Sequence, residues 1–268
     1  MEISTSSYYN YEKRKGSSSE NLLEEAVKSA FWRHKRRYGS RRLVAELRDE
    51  GFIVGRTRIR SIMQKYALQA IQPKSFVPKT TKSHPHLRRS PNLLIDRDKV
   101  SKCDEVWVGD ITYIPLSDGN WAYLAVWLDL FSRYLVGWDI QLHMEESLVI
   151  TALDKAVQKR QPAKGLLVHS DGGGQYCSVK FRNRLGNQGY EQSMTRKDNH
   201  YDNAHSESLF SRFKAEVLED GVFFDLEEAR MECFEFIELY YNPIRRHSSL
   251  GNKSPLQFEK EWQAQKEK

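Results

Sequence analysis

Three strand-like runs stand close together in the middle of this sequence, and they limit the possible fold more than any other feature. "EVWVGDITYIPL" alternates, with Val106, Val108, Asp110, Thr112 and Ile114 on one face. "WAYLAVWLDL" and "RYLVGWDI" follow, separated by the short turn around Phe131 and Ser132. Runs joined this closely predict an antiparallel meander. An amphipathic helix comes next, "EESLVITALDKAVQKR", with Leu148, Ala152, Leu153, Ala156 and Val157 inward. Then come a short buried strand "GLLVHSD", a helix "SVKFRNRLGNQG", a strand "YEQSMT", and two long helices, "NAHSESLFSRFKAEVLED" and "LEEARMECFEFIELYYN". Three strands followed by alternating helices and strands predict an α/β fold, a mixed five-stranded sheet flanked by helices.

The front of the chain has a different texture. Leu23, Val27, Ala30 and Phe31 lie at helical spacing in a stretch closing on Gly39. Leu43, Val44 and Leu47 form a second stripe, with Ser40 placed to cap it and Gly51 to stop it. Ile59, Ile62, Met63 and Tyr66 form a third, with Thr57 as its cap. The last two helices, joined by the tight "GFIVG" turn, resemble a helix-turn-helix, and Arg56, Arg58 and Arg60 surround the start of its final helix, where such folds contact DNA. Charge follows the same division. Residues 1–90 carry a net +12 and the remainder about −6, as expected of a polyanion-binding module joined to a different body. Residues 71–98 hold four prolines and several bases without a sustained period, which reads as a linker. The organisation predicted is thus a small all-α module over 1–70, a basic linker over 71–98 and a larger domain over 99–262. No apolar run approaches the roughly 20 residues of a membrane span. Cys103, Cys177 and Cys233 are isolated, so a reducing cytoplasm is the expected compartment and Cys177 reads as buried and inert. His84 and His86 read as loop residues.

Chemistry concentrates on acids. Asp110 shares a strand face with Val106, Val108 and Ile114, where a carboxylate is costly unless paired or bound to a cation. Asp171 ends the strand "LLVHSD", the usual site position at the carboxyl edge of an open sheet. The glycines after it, Gly172, Gly173 and Gly174, are not a phosphate loop, because Gln175 and Tyr176 follow in place of Gly-Lys-Ser/Thr; they give clearance for a large substrate. At 100° per residue, Glu207 shares a helix face with Ser211 and Lys214, with Phe210 at its edge. That helix is expected to dock through Leu209, Phe213 and Val217, leaving Glu216 and Glu219 exposed. Three carboxylates suit hard divalent cations, magnesium first and manganese next.

Four ordered stretches carry a resemblance: "WVGDITYIPLSDGNWAYLAVWLDLFSRYLVGW", "HSDGGGQYCS", "SMTRKDNHYDNAHSESLFSRFKAE" and "YYNPIRRHSSLGNKSP". Together they look like the successive motifs of insertion sequence 3 family transposases, relatives of retroviral integrases with a ribonuclease-H-like core. The spacing matches as well, with 60 residues between Asp110 and Asp171 and 35 between Asp171 and Glu207. The resemblance implies a DDE-type enzyme in which Asp110, Asp171 and Glu207 hold metal, two ions per site, for cleaving element ends and joining them to DNA. His169, Asn203 and Lys214 would support the site or contact DNA. Asn242, Arg245 and His247 match the family's tail motif, with a helix-end structural role open to them. Gly172 departs from the basic or polar residue of many relatives, and Asp198 from a common glycine. Expected partners are double-stranded DNA (terminal repeats and target), further copies of the chain on that DNA, and an upstream-frame product, because the sequence begins where the family's second reading frame begins. The expected setting is the bacterial cytoplasm, at the nucleoid, with no membrane partner. The rival readings are a non-catalytic DNA-binding regulator, a partial transposase product, and a simple nuclease of the same fold.

Overall fold

The computed structural model describes residues 20–72, 89–95, 97, 99–196, 204–218 and 221–266, and the side chains of 204–207 lie outside that description. Two compact units emerge, Met1–Gln72 and Pro73–Lys268. Among the described residues no helix is long and apolar enough to cross a membrane.

In the first unit, α1 runs through residues 20–33, α2 is Ser40–Asp49 and α3 is Arg56–Lys65. Val27, Ala30 and Phe31 from α1 meet Leu43 and Leu47 from α2 and Ile59 and Ile62 from α3, all buried. The caps differ from expectation. Gly39 and Gly55, both extended, occupy the N-cap positions, and neither Ser40 nor Thr57 makes a capping bond. Ser40 is already the first helical residue, so its hydroxyl starts one position too late to cap. Gly51 ends α2 in the left-handed region, φ +92°, where only glycine is unstrained. The turn is tied back by Arg48 Nε donating to the Val54 carbonyl at 3.0 Å.

The second unit is built on a five-stranded sheet in the order β3-β2-β1-β4-β5. The strands are β1 Val106–Pro115, β2 Trp121–Asp129, β3 Leu135–Gln141, β4 Leu167–Ser170 and β5 Glu191–Met194. β1, β2 and β3 form the antiparallel meander, and β4 joins β1 in parallel, with β5 parallel to β4. The helices are α4 (Glu146–Arg160), α5 (Gly174–Cys177), α6 (Val179–Gln188), α7 (Ala204–Phe213), α8 (Leu226–Phe234) and α9 (Pro255–Lys266). α7 and α8 each continue into π-helical turns, Lys214–Leu218 and Glu235–Tyr241.

Alternation sorts the side chains to two cores. Trp107, Ala125, Trp127 and Val136 meet α4 and α6 on one face; Ile114, Leu124, Val126, Leu128 and Ile140 meet α7 and α8 on the other. The sheet is covered on both faces, as a mixed α/β architecture requires. α4 lies against β3 so closely that a Cβ on Gly137 would fall 2.4 Å from the Ala152 carbonyl oxygen. That glycine is needed for close packing, and its backbone conformation is ordinary.

α7 docks differently from the face drawn above. Phe210 and Phe213 are the fully buried residues, while Leu209 and Val217 are only partly covered. Beyond Phe213 the π turn beginning at Lys214 breaks the 100° phase with its wider coil. Glu216, expected in solvent, is therefore rotated inward and buried. It pairs with buried Arg245, whose Nη2 and Nε lie 2.7 and 2.9 Å from the two carboxylate oxygens. Glu219 lies outside the described residues. Asn242 exchanges two bonds with the main chain of Leu135, accepting its N–H at 2.9 Å and donating to its carbonyl at 3.1 Å. His247 packs edge-on against Tyr241. The tail motif thus fastens the end of the second core to β3 and to the turn after α7.

Candidate active site

The site grows out of the parallel contact between the meander and β4. β1 and β4 run in register, ending with Gly109 opposite Ser170. The next residues are Asp110, midway along β1, and Asp171, just past the end of β4, so the register brings the two acids next to each other where β4 stops. Asp110 is half-buried and accepts a bond from the Ile111 amide at 2.8 Å. Asp171 is also half-buried, and its Oδ1 accepts the Gly173 amide at 3.0 Å. Its Oδ2 takes no hydrogen bond among the described residues. Burial pushes the Asp171 carboxyl above the ordinary carboxylate range, with the Gly173 amide and the positive charge of Arg89 opposing.

The glycines after Asp171 supply space; Gly172 and Gly173 are not in the left-handed region. A Cβ on Gly173 would lie 3.0 Å from Asp171 Oδ1, which is why its amide can reach the carboxylate. The loop is held from the other side by Gln175 Nε2, which donates to the Met144 carbonyl at 2.8 Å. The space expected over Gly172 for substrate is occupied instead by the guanidinium of Arg89.

Tyr176 closes the floor. Its ring stands edge-on to Trp127 and Phe181, and its hydroxyl is buried with no hydrogen-bond partner among the described residues. Burial, then the charges of Asp110 and Asp171, hold its phenol well above the ordinary tyrosine value. Such an orphaned hydroxyl beside two acids is costly for stability alone. Lys214, at the start of the π turn, is half-buried; burial lowers its ammonium pKa while Asp110 pulls it back up. The lysine therefore reaches the same site as Asp110. Glu207 lies on α7 seven positions earlier, with its backbone described and its side chain not. Asn203 and Asp198 lie outside the described residues. His169 departs from a DNA-contacting role: it is fully buried, and its Nδ1 lies 2.8 Å from Ser193 Oγ on β5. A ring enclosed between strands can stiffen the site's support but cannot meet a phosphate. Arg56, Arg58 and Arg60 are all exposed at the start of α3, with Arg58 bonded to Glu20 at 2.7 Å.

Oxygen donors in this number suit a hard divalent cation. One other group of possible ligands lies close together among the described residues, Cys103, Asp129 and Glu259, with ligand atoms within 4.8 Å of one another. Its acids are already saturated. Asp129 Oδ1 accepts from the Phe131 and Ser132 amides and the Ser132 hydroxyl, and its Oδ2 accepts from the Asp104 amide at 2.6 Å. Arg160 forks onto both oxygens of Glu259, at 2.7 and 3.0 Å. Burial and the neighbouring acids push the Cys103 thiol up to about 12, which keeps it protonated and a poor ligand. Cys177 is buried, as expected.

Arg89 and Glu216–Arg245 were not legible as functional contacts in the sequence. The missing side chain at Gly172 was the available signal for the first.

Comparison with known proteins bears on the family. The family described as "Integrase core domain" matches residues 101–200 and, in a second form, 188–255, and an "HTH-like domain" matches residues 18–76. Of solved structures, the simian T-cell lymphotropic virus intasome in complex with PP2A regulatory subunit B56 gamma is similar at TM-score 0.47 and 16% identity, covering 87% of this chain and 74% of that one. The transposase for insertion sequence element IS904 of Lactococcus lactis is 39% identical over 89% of this chain and 94% of its own length. Transposase InsF for insertion sequence IS3A of Escherichia coli is 38% identical over 88% of this chain and 81% of its own. With a mixed five-stranded sheet, an integrase core and relatives of this identity along most of its length, the chain belongs to the insertion sequence 3 family of DNA transposases.

Proposed function

We propose that this transposase is a DDE-type polynucleotidyl transferase in which Asp110, Asp171 and Glu207 together hold magnesium, or manganese in its place, as a pair of ions. The observation that carries the reading is the β1–β4 register, which sets Asp110 and Asp171 next to each other where β4 stops. The raised Asp171 carboxyl, its oxygen without a hydrogen bond among the described residues, and the nearby Tyr176 hydroxyl fit a site that expects a cation. When bound, two divalent cations supply activation of the attacking oxygen and charge stabilisation on the leaving one.

The chain's own residues orient the substrate. Asp110 stands on β1, Asp171 directly follows β4, and Glu207 belongs to a helix docked through Phe210 and Phe213, so both cores support the elements that carry the three acids. Lys214 presents its ammonium beside Asp110, where a strand phosphate would pass. In cleavage, water forms a bond to phosphorus as the strand's 3′-oxygen leaves and takes a proton. In joining, that 3′-hydroxyl attacks a target phosphodiester and a second 3′-oxygen leaves, with no bond to the protein. Residues 1–70 hold the double-stranded end DNA through Arg56, Arg58 and Arg60, residues 71–98 link them to the core over 99–262, and Asn203 is a further DNA-binding residue. Copies of the chain assemble on element ends in the bacterial cytoplasm, at the nucleoid, together with an upstream-frame product.

Asp171→Asn preserves shape and removes charge. It is expected to lower magnesium-dependent nicking of labelled end DNA by at least about a thousandfold, the worth of several kcal/mol, with DNA affinity retained. Wild-type nicking by this variant would remove the assignment. Recovery of joined product separates a transposase from a nuclease that only cuts.

A further inference from the structure

Residues 89–95 are fastened along the outer side of β5. The Ser90 hydroxyl bonds to Gln192 at 2.8 Å, the Met194 amide donates to the Pro91 carbonyl at 3.2 Å, and the Leu93 amide donates to Ser193 Oγ at 2.9 Å. Ser193 is the same hydroxyl that buried His169 holds from β4. Leu94 adds an apolar anchor against Val106, Val108 and Leu167. Held at these points, the segment lays the Arg89 guanidinium directly on Gly172. A Cβ at position 172 would lie 1.5 Å from Nη2 and 2.1 Å from Cζ, so the arginine can take this place only because the loop has no side chain there.

Arg89 is half-exposed and close enough to Asp171 to offset part of the rise in its carboxyl pKa. It nonetheless closes no ion pair with Asp171, whose hydrogen bond comes from Gly173. Among the described residues its forked donors take no acceptor, and they stand at the rim of the site. A guanidinium matches a phosphate bidentately, which a lysine cannot do.

We propose that Arg89 is a substrate-binding residue of the active site, gripping a phosphate of the DNA strand beside the reacting linkage, and that Gly172 exists to admit it. The proposal rests on the reading of Asp110, Asp171 and Glu207 as the catalytic acids. It also explains the departure at position 172: the charge absent from the loop arrives from residue 89.

The test uses the full chain and a labelled duplex carrying the element's own end, with affinity measured across a salt series. Arg89→Ala is expected to weaken binding about tenfold or more, as loss of a charge-assisted hydrogen bond does, and to make the slope of log affinity against log salt shallower by about 0.9, one phosphate contact. Arg89→Lys keeps the wild-type slope with intermediate affinity. Arg89→Ala combined with Gly172→Arg restores the slope by placing the charge on the loop. Wild-type affinity and slope in Arg89→Ala would overturn the proposal, as would lost affinity with an unchanged slope, or an Arg89→Lys slope as shallow as that of the alanine variant. Asp171→Asn separates the two readings: nicking lost with slope intact upholds the acids whatever Arg89 does, and nicking retained removes them independently.

Discussion

Two acid-rich places in the core unit look alike in composition and differ in their donors. Around Asp129 and Glu259, every carboxylate oxygen meets an amide, a hydroxyl or the fork of Arg160, which also reaches Asp104 at 3.0 Å. Around Asp171, among the described residues, one oxygen meets one amide, a charge stands near without closing a pair, and a tyrosine hydroxyl has no partner. The first place is a brace, holding α9 to α4 and to the turn after β2. The second carries unspent negative charge. Counting acids would not separate them, whereas counting donors does.

The contrast can be broken at the brace first. Arg160→Ala strips the partner from buried Glu259 and from Asp104, and is expected to destabilise the protein by about 3–5 kcal/mol, read as a lower denaturant midpoint. A loss below about 1 kcal/mol would mean that the brace is not electrostatic. At the site, the dependence runs the other way. Magnesium at about 100 times its dissociation constant should stabilise the wild type by about 2.7 kcal/mol and leave Asp171→Asn unmoved in the same denaturation experiment. Equal stabilisation of both would place the ion elsewhere. The smallest effect sharpens the comparison from within. Tyr176→Phe removes a buried hydroxyl that has no partner among the described residues, so the metal-free protein should gain about 1 kcal/mol; a loss of that size would show the hydroxyl to be bonded after all.

How far the sequence reached depends on whether a feature is local. The meander could be read because alternation and short turns are written within a few residues, and Asp110 stood out because its strand neighbours are apolar. Asp171 was marked by the end of a buried run. Its adjacency to Asp110 needs only the parallel pairing of two strands, which the order of elements permits. What could not be read involves partners remote in sequence or a change of helical phase. Glu216 has the spacing of a solvent residue on an α-helix, and only the π turn and an arginine 29 residues later bring it inside. His169 looked available because nothing in its own strand announces Ser193 across β5. Ser40 and Thr57 have capping chemistry, but the glycines before them already adopt the extended conformation a cap requires. Arg89 stood among prolines and bases with no period to assign it, so its seat on Gly172 had no local signature.

The strap of residues 89–95 also governs how molecules of this protein can meet. β5 is the last strand of its sheet, the place where another chain would ordinarily add a strand of its own. Here the Pro91 carbonyl already takes the Met194 amide on that border, and side-chain bonds to Gln192 and Ser193 hold the strap beside it. An invading strand would have to peel the strap away and drag Arg89 off its glycine. Sheet extension at this border therefore competes with the seat of Arg89 on Gly172.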